Sequence, residues 1–307
     1  MSQDIKVDNP FQPLITETNN DPAQLQSRYE THRNGRNAAQ TAQILDTDHF
    51  AGWKLDTVLM RMEGPHREEG FVDPRNCLVF WARPTAVIRE MIAMIQRELQ
   101  IVAPTLWTMP NDCLHMTILE AAHSLTEEQI QNLVTILETS KTVSTSEIAN
   151  YALAHRCRVV KPMISFDASA MALSFVPAAG EGGSGDDTAD GYTYHDLRRD
   201  IFDLVRKAGV RVESRYSVPS AHITIARFIT QNGFTTEDNQ VDHSKVKLVI
   251  EKINDLNRKL QEEYWPQADG SIPAGGEWKL GQERGLVIRR GRLWYGGGED
   301  VQVGEGF

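Results

Sequence analysis

The chain has little cysteine. Cys77, Cys113 and Cys157 are its three, too few and too scattered for a disulfide framework, and none stands in C-x-x-C spacing. A reducing compartment follows. It also lacks any apolar run of about eighteen residues, which excludes a membrane-spanning helix. The opening MSQDIKVDNPFQPLIT has no basic stretch followed by an apolar one, as a secretory signal would. An intracellular protein, cytoplasmic or nuclear and without a membrane partner, is expected. Positive charge is short as well: 32 Lys and Arg stand against 42 Asp and Glu, a formal net charge of -10. A broad basic surface for long duplex nucleic acid is therefore excluded, while a small anion in a local pocket is not.

What is present suits a folded protein, with 307 residues, 40% hydrophobic and 24% charged. The first forty-five are rich in Asn and Gln and poor in large aliphatics, so they promise little core. Residues 1–75 read as an N-terminal extension with a strap helix over 22–33, opened by Asp21-Pro22 and stopped at Asn34-Gly35. The main domain is expected over 76–307, as strands and helices in alternation. In its first half, CLVFWA, a helix from Thr85, the strand LHMTILE and the helix LTEEQIQNLVTILE follow one another, with Thr126 and Gln129 spaced for a capping box. The second half runs RCRVVKPMISFD, AMALSFVP, the helix YHDLRRDIFDLVRKAG, the strand AHITIARF, a long helix from Ser244 and a closing strand around GLVIRRGRLWY. Between them, 178–191 reads as a flexible acidic loop.

Two strands carry the same signature. His115-Met116-Thr117-Ile118 and His222-Ile223-Thr224-Ile225 lie thirty and twenty-eight residues after the starts of their preceding helices, which implies two related lobes. Alternation along a strand puts His115 and Thr117 on one face and Leu114, Met116 and Ile118 on the other. His222 and Thr224 separate in the same way from Ala221, Ile223 and Ile225. A chance His-apolar-Thr-apolar arises roughly 0.1 times in such a chain, so two at matching positions are not an accident of composition. Two imidazoles titrating near neutrality suit acid and base roles on either side of a phosphorus, and two hydroxyls suit its non-bridging oxygens. Neither motif has metal-ligand spacing, so no metal and no cofactor is expected.

These eight residues resemble the paired motifs of the 2H phosphoesterase superfamily, which includes cyclic nucleotide phosphodiesterases and 2′-5′ RNA ligase-like proteins. The resemblance implies an α+β fold of two pseudo-symmetric antiparallel-sheet lobes with outer helices and a central cleft. It implies metal-independent cleavage of a 2′,3′-cyclic phosphate or a 2′-5′ linkage in a nucleotide or short RNA end. His115 and His222 would then be the acid/base pair, and Thr117 and Thr224 would bind phosphate. RNA end joining and a non-catalytic phosphate- or RNA-binding module are the alternatives. A monomer is expected.

Other residues are weaker candidates. Tyr216 and Trp107 stand near the motifs and are candidates for stacking on a base, although core packing is the favoured role for each. Alternation puts Arg227 on the face opposite the histidines unless a bulge intervenes. Cys113 shares their face with nothing nearby to activate its thiol, and His123 reads as a surface residue. RRGRLWYGGG fits either a cleft wall or a solvated closing strand. Because one local phosphate neutralises few charges, substrate affinity should depend moderately rather than steeply on salt. A steep slope of log K against log[salt], measured by titration, would point instead to an extended nucleic-acid groove.

Overall fold

The computed structural model describes residues 9–182, 190–213 and 217–307. Helices α1 (Gln12–Glu17), α2 (Pro22–Leu45) and α3 (Leu59–Met62) come first. They are followed by β1 (Asn76–Ala82), α4 (Ala86–Val102), β2 (Trp107–Thr108), β3 (Met116–Leu125), α5 (Glu127–Thr139), α6 (Thr145–Ala149) and α7 (Tyr151–Ala154). Then come β4 (Arg158–Phe166), β5 (Ala170–Pro177), α8 (Tyr194–Lys207), β6 (Ala221–Arg227), α9 (His243–Tyr264), β7 (Glu277–Lys279), β8 (Val287–Gly291) and β9 (Glu299–Val303). Local chemistry explains the boundaries. In α4 the residues Ile88, Met91, Ile92, Ile95 and Leu99 fall on one stripe and are all buried. Thr126 and Gln129 satisfy each other's backbone amides at the start of α5 as a capping box.

The strands form one antiparallel sheet in the order β7-β4-β5-β6-β3-β1-β8-β9, with β2 also pairing to β6. Its two halves, β7-β4-β5-β6 and β3-β1-β8-β9, meet between β6 and β3, where Met116 pairs with Ile223. The closing strand β8 does not complete the second half, as the sequence suggested, but pairs with β1 in the first. On its outer side β8 carries β9, and Arg289 and Arg290 of β8 form ion pairs with Asp300 and Glu299. Side chains seal the gap where β3 and β6 part. Arg198 of α8, fully buried, donates to Ile118 O at 3.1 Å and to Val218 O at 2.9 Å. Gln96 of α4 donates to Met109 O and Ile225 O, each at 2.9 Å.

The N-terminal residues correct the sequence reading twice. Phe11, Tyr29, Ile44, Phe50 and Trp53 all belong to the main core, and Trp53 stacks on Phe228 with ring centroids 3.9 Å apart. Helix α2 starts where expected, with Asp21 accepting from Gln24 N at 2.8 Å, but it runs through Asn34-Gly35 to Leu45. Tertiary contacts override the cost of about 1 kcal/mol for a helical glycine. On either side of it Arg33 donates to Lys161 O at 2.7 Å and Asn37 to Ile164 O at 3.0 Å, while Arg36 pairs with Asp167 at 2.7 Å.

The acidic loop expected over 178–191 is anchored at its ends, where Asp190 pairs with Arg158 at 2.7 Å and Glu181 with Lys161 at 3.3 Å. Residues 183–189 lie outside the described residues.

Burial of Phe11, Leu25, Tyr29 and Ile44 contributes on the order of 1.5–3 kcal/mol each, comparable in sum to a domain's whole stability of about 5–15 kcal/mol. Deleting residues 1–45 should therefore abolish cooperative thermal unfolding. A truncated protein that melts within a few degrees of the full chain would contradict this placement of α2.

Candidate active site

The antiparallel pair Met116–Ile223 decides the site. One residue to either side, the register sets His115 across from Thr224 and Thr117 across from His222. Met116, Ile118, Ile223 and Ile225 are fully buried, whereas His115, Thr117, His222 and Thr224 are partly accessible, so all four polar side chains share the sheet's other face. The four predicted residues therefore meet, each histidine beside the other motif's threonine. They line a cleft chamber of about 160 Å³.

Both motif strands bulge just beyond the threonine. Along β6 the register to β5 shifts between Ala172↔Thr224 and Met171↔Ala226, so Ile225 and Ala226 are both buried and Arg227 returns to the cleft face. Along β3 the register to β1 shifts between Trp81↔Thr117 and Phe80↔Leu119, so Ile118 and Leu119 are both buried and Glu120 returns likewise. The repeat is thus longer than four residues: HMTILE and HITIAR each present a His, a Thr and a charge to one face. Arg227 and Glu120 both line the chamber. Alternation alone had put Arg227 on the opposite face; the bulge is what reverses it. Arg227 Nη1 pairs with Asp56 Oδ2 at 3.3 Å, and its Nε is buried without a partner.

The imidazoles are held through Nδ1 by the residue two positions upstream. His115 Nδ1–H donates to Cys113 O at 2.7 Å, and His222 Nδ1 meets Ser220 Oγ at 2.9 Å. In each ring Nε2 is then the nitrogen that can serve a substrate. Trp81 stacks on His115 with centroids 3.7 Å apart. The sequence reading of two groups titrating near neutrality does not hold in the structure. Burial pushes His115 down to about 3, helped by the charges of Arg83 and Arg289 and opposed by the Cys113 carbonyl. Burial pushes His222 down to about 4, helped by Arg198, Arg36 and Arg227 and opposed by Asp167. Both rings are neutral at pH 7.

The chamber's wall is aromatic. Trp81 and Trp294 line it, and Trp294 lies under the Arg75 guanidinium, 4.2 Å from its ring centroid. RRGRLWYGGG therefore serves both roles considered for it, since Arg289 and Arg290 bind β9 while Leu293 and Trp294 face the cleft. Trp107 is not brought to the chamber; it meets Tyr295 edge-on, centroids 5.7 Å apart. Tyr216 lies outside the described residues. His123 is not merely a surface residue, since its ring packs edge-on against Trp294 at 5.4 Å. Cys113 contributes its carbonyl, and burial beside Asp112 pushes its thiol up. Among the described residues no group of three or more His, Cys, Asp or Glu side chains is placed to hold a metal ion, and no helix is long and apolar enough to cross a membrane.

No family model matches the sequence, and no curated protein matches it. Solved structures share its outline loosely. A conserved protein of unknown function from Agrobacterium tumefaciens is 13% identical over 78% of this chain and 90% of its own, with a TM-score of 0.44. The Thermus thermophilus protein TT0787 is 13% identical over 74% and 96%, with a TM-score of 0.37. Usb1 from Kluyveromyces marxianus is 11% identical over 75% and 98%, with a TM-score of 0.33. Likenesses this distant say nothing about activity.

An unfolded histidine titrates near 6.5. With the folded values of His115 and His222 at about 3 and 4, the unfolded chain binds more protons between about pH 6.5 and 4. Stability contributed by the neutral rings is present above 6.5 and is lost as pH falls through that window. Urea midpoints should fall from pH 7 to pH 5, and NMR titration should find neither imidazole protonating above about pH 5 in the free protein. A midpoint near 6.5 at either position would contradict the burial described.

Proposed function

We propose that this cleft hydrolyses a phosphodiester, a 2′,3′-cyclic phosphate or a 2′-5′ linkage, in a nucleotide or short RNA end. One observation carries the reading: the Met116–Ile223 pair juxtaposes two imidazoles and two hydroxyls on one accessible face. One neutral imidazole would take the proton of the attacking water through Nε2, and the other, protonated, would deliver a proton to the departing ribose oxygen. Thr117 and Thr224 would donate to the non-bridging oxygens, and Arg227 would offset their charge. The two half-sheets would be the two lobes, with 76–307 as the catalytic domain.

Both rings are neutral before substrate arrives, so the acid must gain its proton on binding. The substrate's own charge supplies the reason, because an anion beside His115 or His222 favours the imidazolium. On this reading the kcat profile, set by the complex, has limbs at higher pH than the kcat/KM profile, set by the free enzyme. Trp294, partly accessible at the chamber wall, offers a surface for a base, whereas Trp81 is already stacked on His115; a local cleft suits a small substrate rather than a long duplex.

Turnover of 2′,3′-cyclic mononucleotides and 2′-5′ dinucleotides tests the proposal. His115→Ala and His222→Ala should each lose about 10²–10⁴-fold, the usual worth of general acid or base catalysis. Thr117→Val and Thr224→Val should lose about tenfold each, one hydrogen bond to a charged group. Activity should survive EDTA, because these side chains supply proton transfer and charge stabilisation themselves. Loss of activity on chelation, or a folded His222→Ala enzyme near wild type, would contradict it.

A further inference from the structure

Beyond His222 and Thr224 the cleft continues into a second chamber of about 180 Å³, with Ser220, His222, Thr224 and Arg227 shared between the two. Its floor is low because β5 presents Ala170, Ala172 and Ser174 there while Met171, Leu173 and Phe175 enter the core. Its far wall is α2, which contributes Tyr29, His32, Arg33 and Arg36. Arg33 is only 5% exposed. Its Nη1 donates to Lys161 O at 2.7 Å, but Nε and Nη2 are buried with no partner. The guanidinium also lies over the Trp265 ring, 5.5 Å from its centroid, which offsets part of the cost of burial but satisfies neither N–H; an anion would.

Arg36 supplies a second cation at the chamber's more open side. Its pair with Asp167 is half-exposed and contributes little. Ser169 N, Ser169 Oγ and Ala170 N all donate to Asp167 Oδ1, while Arg36 binds Oδ2, so an Arg36 that turns to another anion leaves that one oxygen, on a side chain 29% exposed, to solvent.

We propose that Arg33 and Arg36 form a subsite for a second phosphate, carried by the substrate next to the phosphorus that His115 and His222 attack. This rests on the phosphodiesterase reading of the first chamber. A planar guanidinium fork suits phosphate oxygens. The substrate then bears at least two phosphates, the second being either a 5′-terminal phosphate on a cyclic mononucleotide or the internucleotide phosphate of a short RNA end.

Three substrates separate these cases: a 2′,3′-cyclic mononucleotide with a 5′-hydroxyl, the same with a 5′-phosphate, and a dinucleotide ending in the same cyclic phosphate. Wild type should favour at least one two-phosphate substrate by about tenfold or more in kcat/KM, the worth of a charge-assisted hydrogen bond. Which one it favours names the source. In Arg33→Met and Arg36→Gln that ratio should fall to within about twofold. Equal kcat/KM for all three in wild type, or a ratio that survives Arg36→Gln in a folded protein, overturns the subsite and leaves the phosphodiesterase reading standing. Calorimetric binding of a 5′-phosphorylated dinucleotide without a cyclic end provides the second measurement. If nothing is turned over yet this binding weakens about tenfold in Arg36→Gln, the subsite stands and the phosphodiesterase reading falls. Arg36 is half-exposed, so its variant remains informative even if Arg33→Met fails to fold.

Discussion

The site depends on one backbone pairing, Met116 with Ile223, at the centre of the sheet. Side chains on a strand repeat every two residues, so a slip of one position would turn the His and Thr of the slipped strand into the core and bring its buried partner, Met116 or Ile223, out. The buried side chains forbid it, since Met116, Ile118, Ile223 and Ile225 are all fully enclosed. Polar groups fix the same register from either end. Arg198 spans Ile118 O and Val218 O where the strands part, and Gln96 holds Ile225 O at the bulge. Tyr194 OH donates to Thr117 O at 3.1 Å, tying the start of α8 to the motif strand.

Desolvation then shapes the chemistry. The neighbours that hold His115 and His222 in place also keep water from stabilising their charged forms, and the surrounding arginines act in the same direction. Cations that keep the rings neutral are the groups an anionic substrate would neutralise. On the proposed reading, binding and protonation would thereby be coupled, and the arginines around the site would do more than attract the substrate.

Much of this was legible in the sequence and some was not. The motif strands, α4, α5 and β5 announce themselves through alternation, helical spacing and capping residues such as Thr126 and Gln129. The shared face of His115, Thr117, His222 and Thr224 follows from a period of two. Arg227 and Glu120 were hidden because a bulge depends on what the partner strand does. Even so, the doubled apolar pairs Ile118-Leu119 and Ile225-Ala226 after each Thr were a visible break in alternation. Helix α2 was underrated because its buried apolar residues, Leu25, Tyr29 and Ile44, are few and widely spaced, and its other anchors are polar: Arg33, Asn37 and Arg36 reach β4 carbonyls and Asp167, contacts that no hydrophobic pattern encodes. Trp107, placed by proximity in sequence, was drawn to Tyr295 instead. Strand β8 pairs with β1 across some two hundred residues, a choice that no local pattern encodes.

The central claim is that the two motifs form one catalytic unit. Turnover of a 2′,3′-cyclic nucleotide by His115→Ala, His222→Ala and the double variant tests it most directly. If the imidazoles act together on one phosphorus, either single change disables the unit, and the double variant should be little slower than the worse single one. Losses that multiply in the double variant would contradict this, because they would mean that the two histidines act independently.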